Sequence, residues 1–239
     1  MNVIPFRRLG VARWTCIGAC LSGGFALSVL AGTTGVAGAH NASALSQAKK
    51  ELLVLSDMPK GWKSSKSSND NSSFPGAAQL ASCLGVPTSV ITDNPPSANS
   101  PEFDSKNQLQ SVDDSVSVYP SAKAARADFA SLANSNTPSC LTKVLNGTAK
   151  SALVAQFGPN ASVGNITVSR FPATALALHN ANFVAFMPVT TQGVTLNVEL
   201  IVVDFVRATV EQTVTMTSVQ NPFPTSLAKH LSTVASGRL

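Results

Sequence analysis

Two short stretches of the sequence contain the residue types of a hydrolase, and neither forms a complete catalytic set. Ser226-Leu227-Ala228-Lys229 matches Ser-x-x-Lys, in which one helical turn places a lysine over a nucleophilic serine. No Lys-Thr-Gly or Ser-Asp-Asn sequence follows it, and the chain has no Gly-x-Ser-x-Gly motif. We therefore expect Ser226 to lie in the first turn of the last helix, with Lys229 in solvent. Asp113 and Asp114 are adjacent on a predicted strand, so they point to opposite faces and cannot act on one substrate.

The three histidines are the remaining candidates for enzyme chemistry. If the chain is cleaved after Ala39, His40 becomes the N-terminal residue, as in the copper site of lytic polysaccharide monooxygenases, which needs an amino group and two imidazoles. Only His179 and His230 are available as the second imidazole. A metal is argued from a full ligand set, so we predict no metal and no other cofactor.

The N-terminus has the features of an export signal over residues 1–39. Three arginines are followed by an uncharged stretch from Trp14 to Ala39, which ends in the small-x-small sequence Ala37-Gly38-Ala39. Two alternatives remain: an uncleaved membrane anchor, and a lipidated N-terminus at Cys20. We predict cleavage after Ala39 and a secreted or envelope location, with membrane association as the alternative.

Cysteine usage agrees with export. Cys16 and Cys20 lie in the predicted leader, which leaves Cys83 and Cys140 as the pair outside it. In an oxidising compartment two such cysteines most often form a disulfide. The alternative is two buried thiols, whereas two ligands without a nearby histidine do not make a metal site.

The charge of the mature chain does not imply a polyanionic partner. The protein has 17 basic residues, and removing the three leader arginines leaves 14 against 12 acidic residues, a net charge of +2. The lysines are scattered, and outside the leader there is one tryptophan and one tyrosine. Nucleic-acid binding requires clustered basic residues with interleaved aromatics, so we predict no nucleic-acid partner.

The first half of the mature chain predicts short helices separated by loops. Residues 44–55 have a helix-forming composition, and Pro59 prevents the helix from continuing. A Ser-, Asn- and Lys-rich loop is predicted over 63–73, a short helix over 77–84, and a second loop over 94–101.

The second half is patterned as helices followed by strands. Val112, Val116 and Val118 alternate with polar residues, which predicts a strand with one solvent-exposed face. Ser121 is the expected N-cap of a helix over 122–132. We also predict a helix at 140–154 and strands at 166–171 and 183–189.

The run from Val194 to Val219 is too long for a single strand and must fold back. We place this reversal at 204–207 and a preceding hairpin turn at Gln192-Gly193, because glycine tolerates positive φ. An amphipathic helix follows Pro224. The order of helices and strands along the chain predicts one α+β domain over residues 40–239, with a central antiparallel sheet covered by helices.

One motif gives the chain a family resemblance. Leu52-Leu53 followed by Asp57-Met58-Pro59-x-Gly61-Trp62 resembles the opening of secreted actinobacterial domains related to the extracellular sensor domain of PknH-type receptor kinases and to mycobacterial envelope lipoproteins. The resemblance implies a binding or sensing domain at the cell envelope. The chain departs from the kinase sensors in having one cysteine pair instead of two, and no kinase domain.

These observations predict a non-catalytic extracytoplasmic binding or sensor-like module. Its ligand is unknown and is a lipid, a glycan or a protein. The alternative is a secreted hydrolase or metal-dependent enzyme with a dispersed site. Trp62 is the single candidate for ligand binding, although we expect Gly61 to turn the chain so that the ring packs on leucines of the preceding helix and on the sheet.

Overall fold

The computed structural model describes residues 37–66, 75–92, 95–157, 160–171 and 179–239. Within these ranges the chain forms seven α-helices and nine strands, all in one antiparallel sheet. The predicted α+β architecture is confirmed. Residues 1–36 of the predicted leader and 67–73 of the predicted serine loop lie outside the described residues.

The helices and strands follow one another in a simple order. The helices are α1 (Ala37–Glu51), α2 (Ala77–Leu84), α3 (Thr88–Thr92), α4 (Ala122–Ala133), α5 (Thr137–Asn146), α6 (Lys150–Phe157) and α7 (Thr225–Arg238). The strands are β1 (Lys63–Ser65), β2 (Ser97–Asn99), β3 (Glu102–Asp104), β4 (Gln110–Val118), β5 (Ser162–Val163), β6 (Thr167–Arg170), β7 (His179–Thr191), β8 (Val194–Arg207) and β9 (Val210–Val219).

The sheet is built around the three long strands β7, β8 and β9. Its order is β1-β3-β4-β9-β8-β7-β5, with β2 also paired to β4 and β6 also paired to β7. The turn between β7 and β8 falls at Gln192-Gly193 as predicted, with φ values of 51° and 78°. Positive φ at both turn residues matches the twist of the flanking strands.

The β8–β9 reversal lies later than predicted. Residues 204–207 are the last four residues of β8, and the chain turns at Ala208-Thr209. Ala208 has a φ of 53°, a left-handed conformation that alanine adopts at some cost. No glycine or asparagine marks this turn, so composition gave no signal for it.

Each face of the sheet is covered by a different set of helices. Residues directly opposite each other on paired strands share a face, so Val214 of β9 projects with Asp114 of β4 and Val203 of β8. This side packs on α1 and α7, the first and last described helices, and is called the terminal-helix face. The other side packs on helices α2 to α6 and is called the disulfide face.

Two predicted helices differ in extent from the observed ones. Helix α1 ends at Glu51 because the backbone N–H of Leu53 leaves the helical pattern and donates to the carboxyl of Asp114, 2.7 Å away. The helix predicted over 140–154 is two helices, α5 and α6, separated at Gly147. The Gly147 N–H caps α5 by donating to the carbonyls of Lys143 and Val144.

Two predicted loops contain edge strands. Lys63–Ser65 pairs with β3, and Ser97–Asn99 pairs with β4. Both strands have three residues, and the ladder hydrogen bonds come from the backbone, so polar side chains do not prevent pairing at an edge. The predicted solvent-exposed face of β4 is also wrong, since Asp114 and Ser115 are buried on opposite sides of this strand.

The two cysteines outside the predicted leader lie at disulfide distance and join α2 to α5. The Cα atoms of Cys83 and Cys140 are 5.7 Å apart. A disulfide of this kind favours an extracytoplasmic location. Among the helices in the described ranges, none has the length and apolar character needed to cross a membrane.

Candidate functional site on the disulfide face

The disulfide face carries a polar region between two apolar ones. At one end Met187, Val189, Leu196 and Val198 pack with α2, α5 and α6. At the other end Val206 packs with Tyr119 and Ala125. Between them, β4, β8 and β9 present six polar side chains: Ser115, Asp204, Glu211, Thr213, Thr215 and Thr217. Thr213 is partly buried and the other five are buried. Buried polar atoms are costly unless they are hydrogen-bonded, so the partners of these side chains decide what the region can do.

Four ionisable side chains form an acidic cluster where α4 meets the sheet. Asp204 comes from β8, Glu211 from the start of β9 and Asp128 from α4, and Tyr119 directly follows β4. The Tyr119 hydroxyl donates to Asp128 Oδ2 at 2.8 Å. The Glu211 carboxyl lies near those of Asp204 and Asp128, close enough for their charges to raise its pKa. The acidic cluster therefore links three strands and a helix.

The protonation of the acidic cluster depends on which of its oxygens have a donor. The Thr213 hydroxyl donates to Asp204 Oδ1 at 2.9 Å. Asp204 Oδ2 and Glu211 Oε2 are buried, and no N–H or O–H group of the described residues donates to them. Buried carboxyl oxygens without a donor favour the protonated form of the group, because the neutral form loses less on burial.

Burial is the main cause of the altered acidity in the cluster. It raises the pKa of Asp204, and the same desolvation, with repulsion from Asp204 and Asp128, raises the pKa of Glu211 well above its ordinary value. Burial, followed by the charge of Glu211, also raises the pKa of Tyr119. All these changes favour the neutral forms of the side chains.

A second polar region, called the edge patch, lies on the same face at the β1–β3 edge. It consists of six residues: Ser65, Glu102, Asp104, Ser111, Asp113 and Thr215. The strand register places Ser65 opposite Glu102, Asp104 opposite Ser111, and Asp113 opposite Thr215. The Ser65 hydroxyl donates to Asp104 Oδ2 at 3.0 Å.

The edge patch runs from the open edge of the sheet into its interior. Lys63 at the outer margin is exposed, Asp104 and Asp113 are partly buried, and Glu102 and Thr215 are buried. Burial, followed by the charges of Asp104 and Asp113, raises the pKa of Glu102 to about 7. The Thr215 hydroxyl has no hydrogen-bond partner among the described residues, so a polar group is available at the inner end.

A third buried carboxyl, that of Asp114, lies on the opposite, terminal-helix face. Its Oδ2 accepts from the Leu53 N–H at 2.7 Å and from Gln212 Nε2 at 2.9 Å, and Gln212 also donates to the Glu51 carbonyl. Burial raises the pKa of Asp114 to about 8. This network fixes the end of α1 on the sheet, and we interpret it as structural.

The candidate ligand residue predicted from the sequence, Trp62, lies on the terminal-helix face. Gly61 has a φ of 94°, as expected for the turn that ends the Pro59-x-Gly61-Trp62 segment. The ring is partly buried against an apolar group that includes Leu53, Met58 and Phe103. Trp62 and the edge patch are therefore on opposite sides of the sheet.

The other residues considered for catalysis are not brought together. His179 begins β7 and His230 lies on α7; both are exposed, and neither bonds to another described side chain. The side chain of His40 is outside the described part of the structure. Ser226 and Lys229 are exposed in the first turns of α7, as expected.

Within the described ranges, no three His, Cys, Asp or Glu side chains are arranged to hold a metal ion. Asp113 and Asp114 do point to opposite faces, as their adjacent positions predict.

The acidic cluster is not predicted from the sequence. Asp204 interrupts an otherwise apolar run. A single charged residue within a predicted core strand is the sequence signal of a buried carboxyl. A charged residue is also typical of a turn, and the chain reversal is predicted at 204–207 although no glycine or proline marks it. Glu211 follows Val210 in the next strand, and only the register brings the two carboxyls together.

Comparisons with known proteins show only a distant relationship. No protein-family model matches the chain, and no curated protein sequence matches it. Its fold is similar to the crystal structure of the extracellular domain of PknH from Mycobacterium tuberculosis, over 67% of this chain and 90% of that one. The TM-score is 0.33 and the identity is 8%, so the relation is a distant similarity of fold, and no functional residue is transferred from it.

Proposed function

We propose that this protein is a non-catalytic extracytoplasmic binding or sensor-like module of the cell envelope, and that the edge patch holds its ligand. The observation that carries the proposal is the combination of a buried, unpartnered Thr215 hydroxyl with the carboxyls of Glu102, Asp104 and Asp113 on one face. Binding sites for small molecules place a few polar groups in this way to fix the orientation of a ligand.

The chemistry of the edge patch favours a ligand rich in hydrogen-bond donors. Carboxylate oxygens accept and do not donate, and the Ser65 and Ser111 hydroxyls are held by carboxyls of the patch. A hydroxyl- or amine-bearing ligand, such as the glycan part of an envelope component, satisfies these acceptors. An acyl chain alone does not. The predicted absence of a nucleic-acid partner is consistent with this excess of carboxyls.

Two aspects of the proposal depend on the N-terminus. Cleavage after Ala39 gives a free module in the envelope. An uncleaved segment keeps the same module at the membrane surface, where a partner protein would detect whether a ligand is bound at the edge patch.

The experiment is native mass spectrometry of the protein purified from its own envelope, with two matched threonine variants. Thr215→Val removes the buried hydroxyl and keeps the side-chain shape, so the fold is expected to stay intact. Thr195→Val removes an exposed hydroxyl near the β7–β8 turn and serves as the control. We expect wild type and Thr195→Val to retain a small molecule that Thr215→Val and Glu102→Gln lose. Wild-type protein without a retained molecule, or equal retention by Thr215→Val, contradicts the proposal.

A further inference from the structure

The charged side chains exposed on the described part of the structure are all basic. Every aspartate and glutamate in the described ranges is buried or partly buried, whereas most of the lysines and arginines are exposed. Burial also raises the pKa of Glu102, Asp114 and Asp204, which favours their neutral forms. The near balance of basic and acidic residues in the sequence does not reveal this separation. The folded domain therefore presents positive charge to a partner.

One stretch of the surface combines lysines with exposed apolar side chains. It consists of Lys49, Lys50, Val54, Leu55 and Lys60 and is called the lysine surface. Val54 and Leu55 are 48% and 43% exposed. In the described ranges only two other large apolar side chains are exposed, and both lie on the β7–β8 hairpin. Scattered apolar residues are normal on a surface, but an adjacent pair flanked by lysines suits a partner that is both apolar and anionic.

The last turn of α1 directs its two lysines away from the sheet. Ala48 and Leu52 are buried on the terminal-helix face, so the opposite side of the helix end carries Lys49 and Lys50. The helix dipole favours basic residues at this end, which accounts for two of the three lysines. It does not account for Lys60, which lies beyond the helix.

The segment after α1 is compact and keeps the apolar pair in solvent. A 3₁₀ turn over Leu55–Asp57 is closed by the Asp57 N–H, which donates to the Val54 carbonyl at 2.9 Å. A second turn follows at once and exposes Lys60. These backbone hydrogen bonds do not use the side chains of the lysine surface, so those side chains remain available for a partner.

The two acidic residues of the same stretch do not neutralise the lysines. Glu51 is buried. Asp57 accepts from the Val54 N–H and pairs with Arg238 at 2.8 Å. Among the described residues, none forms an ion pair with the three lysines. The lysine surface is therefore positive, with no exposed carboxylate beside it.

We propose that the lysine surface docks the domain on an anionic lipid membrane, with Val54 and Leu55 entering the headgroup region and the three lysines contacting lipid phosphates. A soluble anionic polymer would engage the lysines but offers no apolar layer to the pair, so these observations favour a bilayer. In a chain cleaved after Ala39, the contact holds the domain at the membrane without an anchor. The inference does not depend on a ligand at the edge patch, which lies on the opposite face of the sheet and points away from the lipid.

Vesicle flotation of the exported protein tests the docking. Vesicles of phosphatidylcholine alone are compared with vesicles containing about one third phosphatidylglycerol, at about 0.1 M and about 0.5 M salt. We expect the protein to float with the anionic vesicles at low salt and to bind them at least about tenfold more weakly at high salt, because salt screens the lysines. Equal binding to neutral and anionic vesicles overturns the proposal.

Two triple variants locate the charge that matters. Each lysine near an anionic surface contributes about a fivefold factor to the partition coefficient, so replacing the three lysines of the lysine surface by glutamine should lower it by about a hundredfold. The control removes the same charge from exposed positions of α4 and α5, on the other side of the sheet: Lys123→Gln, Arg126→Gln and Lys143→Gln. We expect this control to stay within about threefold of wild type. Equal losses in the two triple variants contradict a defined docking surface.

Replacing the apolar pair distinguishes a bilayer from a soluble polyanion. The double variant Val54→Ser, Leu55→Ser should bind anionic vesicles about tenfold more weakly than wild type, while its binding to soluble polyphosphate stays unchanged. Val194→Ser, at a residue that is 50% exposed beside the β7–β8 turn, is the control and should bind as wild type. All these side chains are exposed, so the variants are expected to fold. Wild-type protein that binds polyphosphate but not anionic vesicles, or vesicle binding that survives loss of the pair, overturns the proposal.

Discussion

Replacing Asp114 by asparagine is expected to make the fold less sensitive to alkaline pH without weakening it in acid. Asp114 is 1% exposed and accepts hydrogen bonds from the Leu53 N–H and from Gln212 Nε2. Asparagine keeps an acceptor oxygen in the same place and adds a donor. Gln212 Oε1 and Asp114 Oδ1 are both buried without a donor among the described residues, so a neutral side chain suits this site.

The magnitude follows from the protonation of Asp114 in the two states. Burial raises its pKa from 3.8 to about 8 in the folded protein. The folded state therefore binds the proton more tightly than the unfolded state, and stability is lost as the pH rises from about 4 to about 8. At about 1.4 kcal/mol per pKa unit, this loss amounts to roughly 6 kcal/mol, and Asp114→Asn does not suffer it.

Urea unfolding of wild type and Asp114→Asn at about pH 5, 7 and 9 measures the difference. We expect the two free energies of unfolding to agree within about 1 kcal/mol at the lowest pH and to separate in favour of the variant as the pH rises. Other buried carboxyls weaken both proteins in the same direction, so the difference between the curves isolates Asp114. Thr195→Val, which alters an exposed hydroxyl and no ionisable group, is the control and should retain the wild-type slope.

The reasoning is refuted if Asp114→Asn loses stability with pH as steeply as wild type does. A loss of more than about 3 kcal/mol at acid pH would instead show that the two hydrogen bonds need a carboxyl and not merely an acceptor.

The remaining predictions concern one ring, one disulfide and one cleavage site. Trp62→Ala should lower the free energy of unfolding by about 3 kcal/mol, because the ring is partly buried. Phe186→Ala, at a residue that is 45% exposed, is the control and should cost less than about 1 kcal/mol. Equal thermal midpoints for wild type and Trp62→Ala would show that Trp62 is not part of the core. Replacing Cys83 and Cys140 together by alanine should cost up to about 4 kcal/mol, because the bond closes a loop between residues 57 positions apart; two alkylatable thiols in the unreduced native protein would show that no bond exists. N-terminal sequencing of the exported protein should begin at His40, and an acylated start at Cys20 would identify a lipoprotein instead.

The elements with strong local signals were predicted accurately. Helix α2 was predicted over its observed residues, and Ser121 caps α4 by accepting from the Ala124 N–H. The Gln192-Gly193 turn was readable because a glycine follows a strand with the right apolar pattern. These features depend on interactions within a few residues, which a single sequence records.

The features that were missed depend on contacts between distant segments. The end of α1 is set by the Asp114 carboxyl, 61 positions from Leu53 in the chain. The edge strand β1 exists because β3 supplies a backbone partner, although its serines predict a loop. Asp204 and Glu211 meet only in the register of β8 and β9, so the acidic cluster cannot be found before the strands are paired.

The order in which the helices cover the terminal-helix face affects when the domain can fold during synthesis. Helix α7 is the last described element, and Leu231 and Ala235 on it cover Val203 and Val214 of the central strands. Arg238 then joins α7 to the segment that follows α1 by pairing with Asp57 at 2.8 Å. A growing chain that has completed every strand still exposes the part of this face that α7 covers, so binding of chaperones or aggregation competes with folding until α7 is made. The domain therefore completes its core only after nearly all of its sequence has been synthesised.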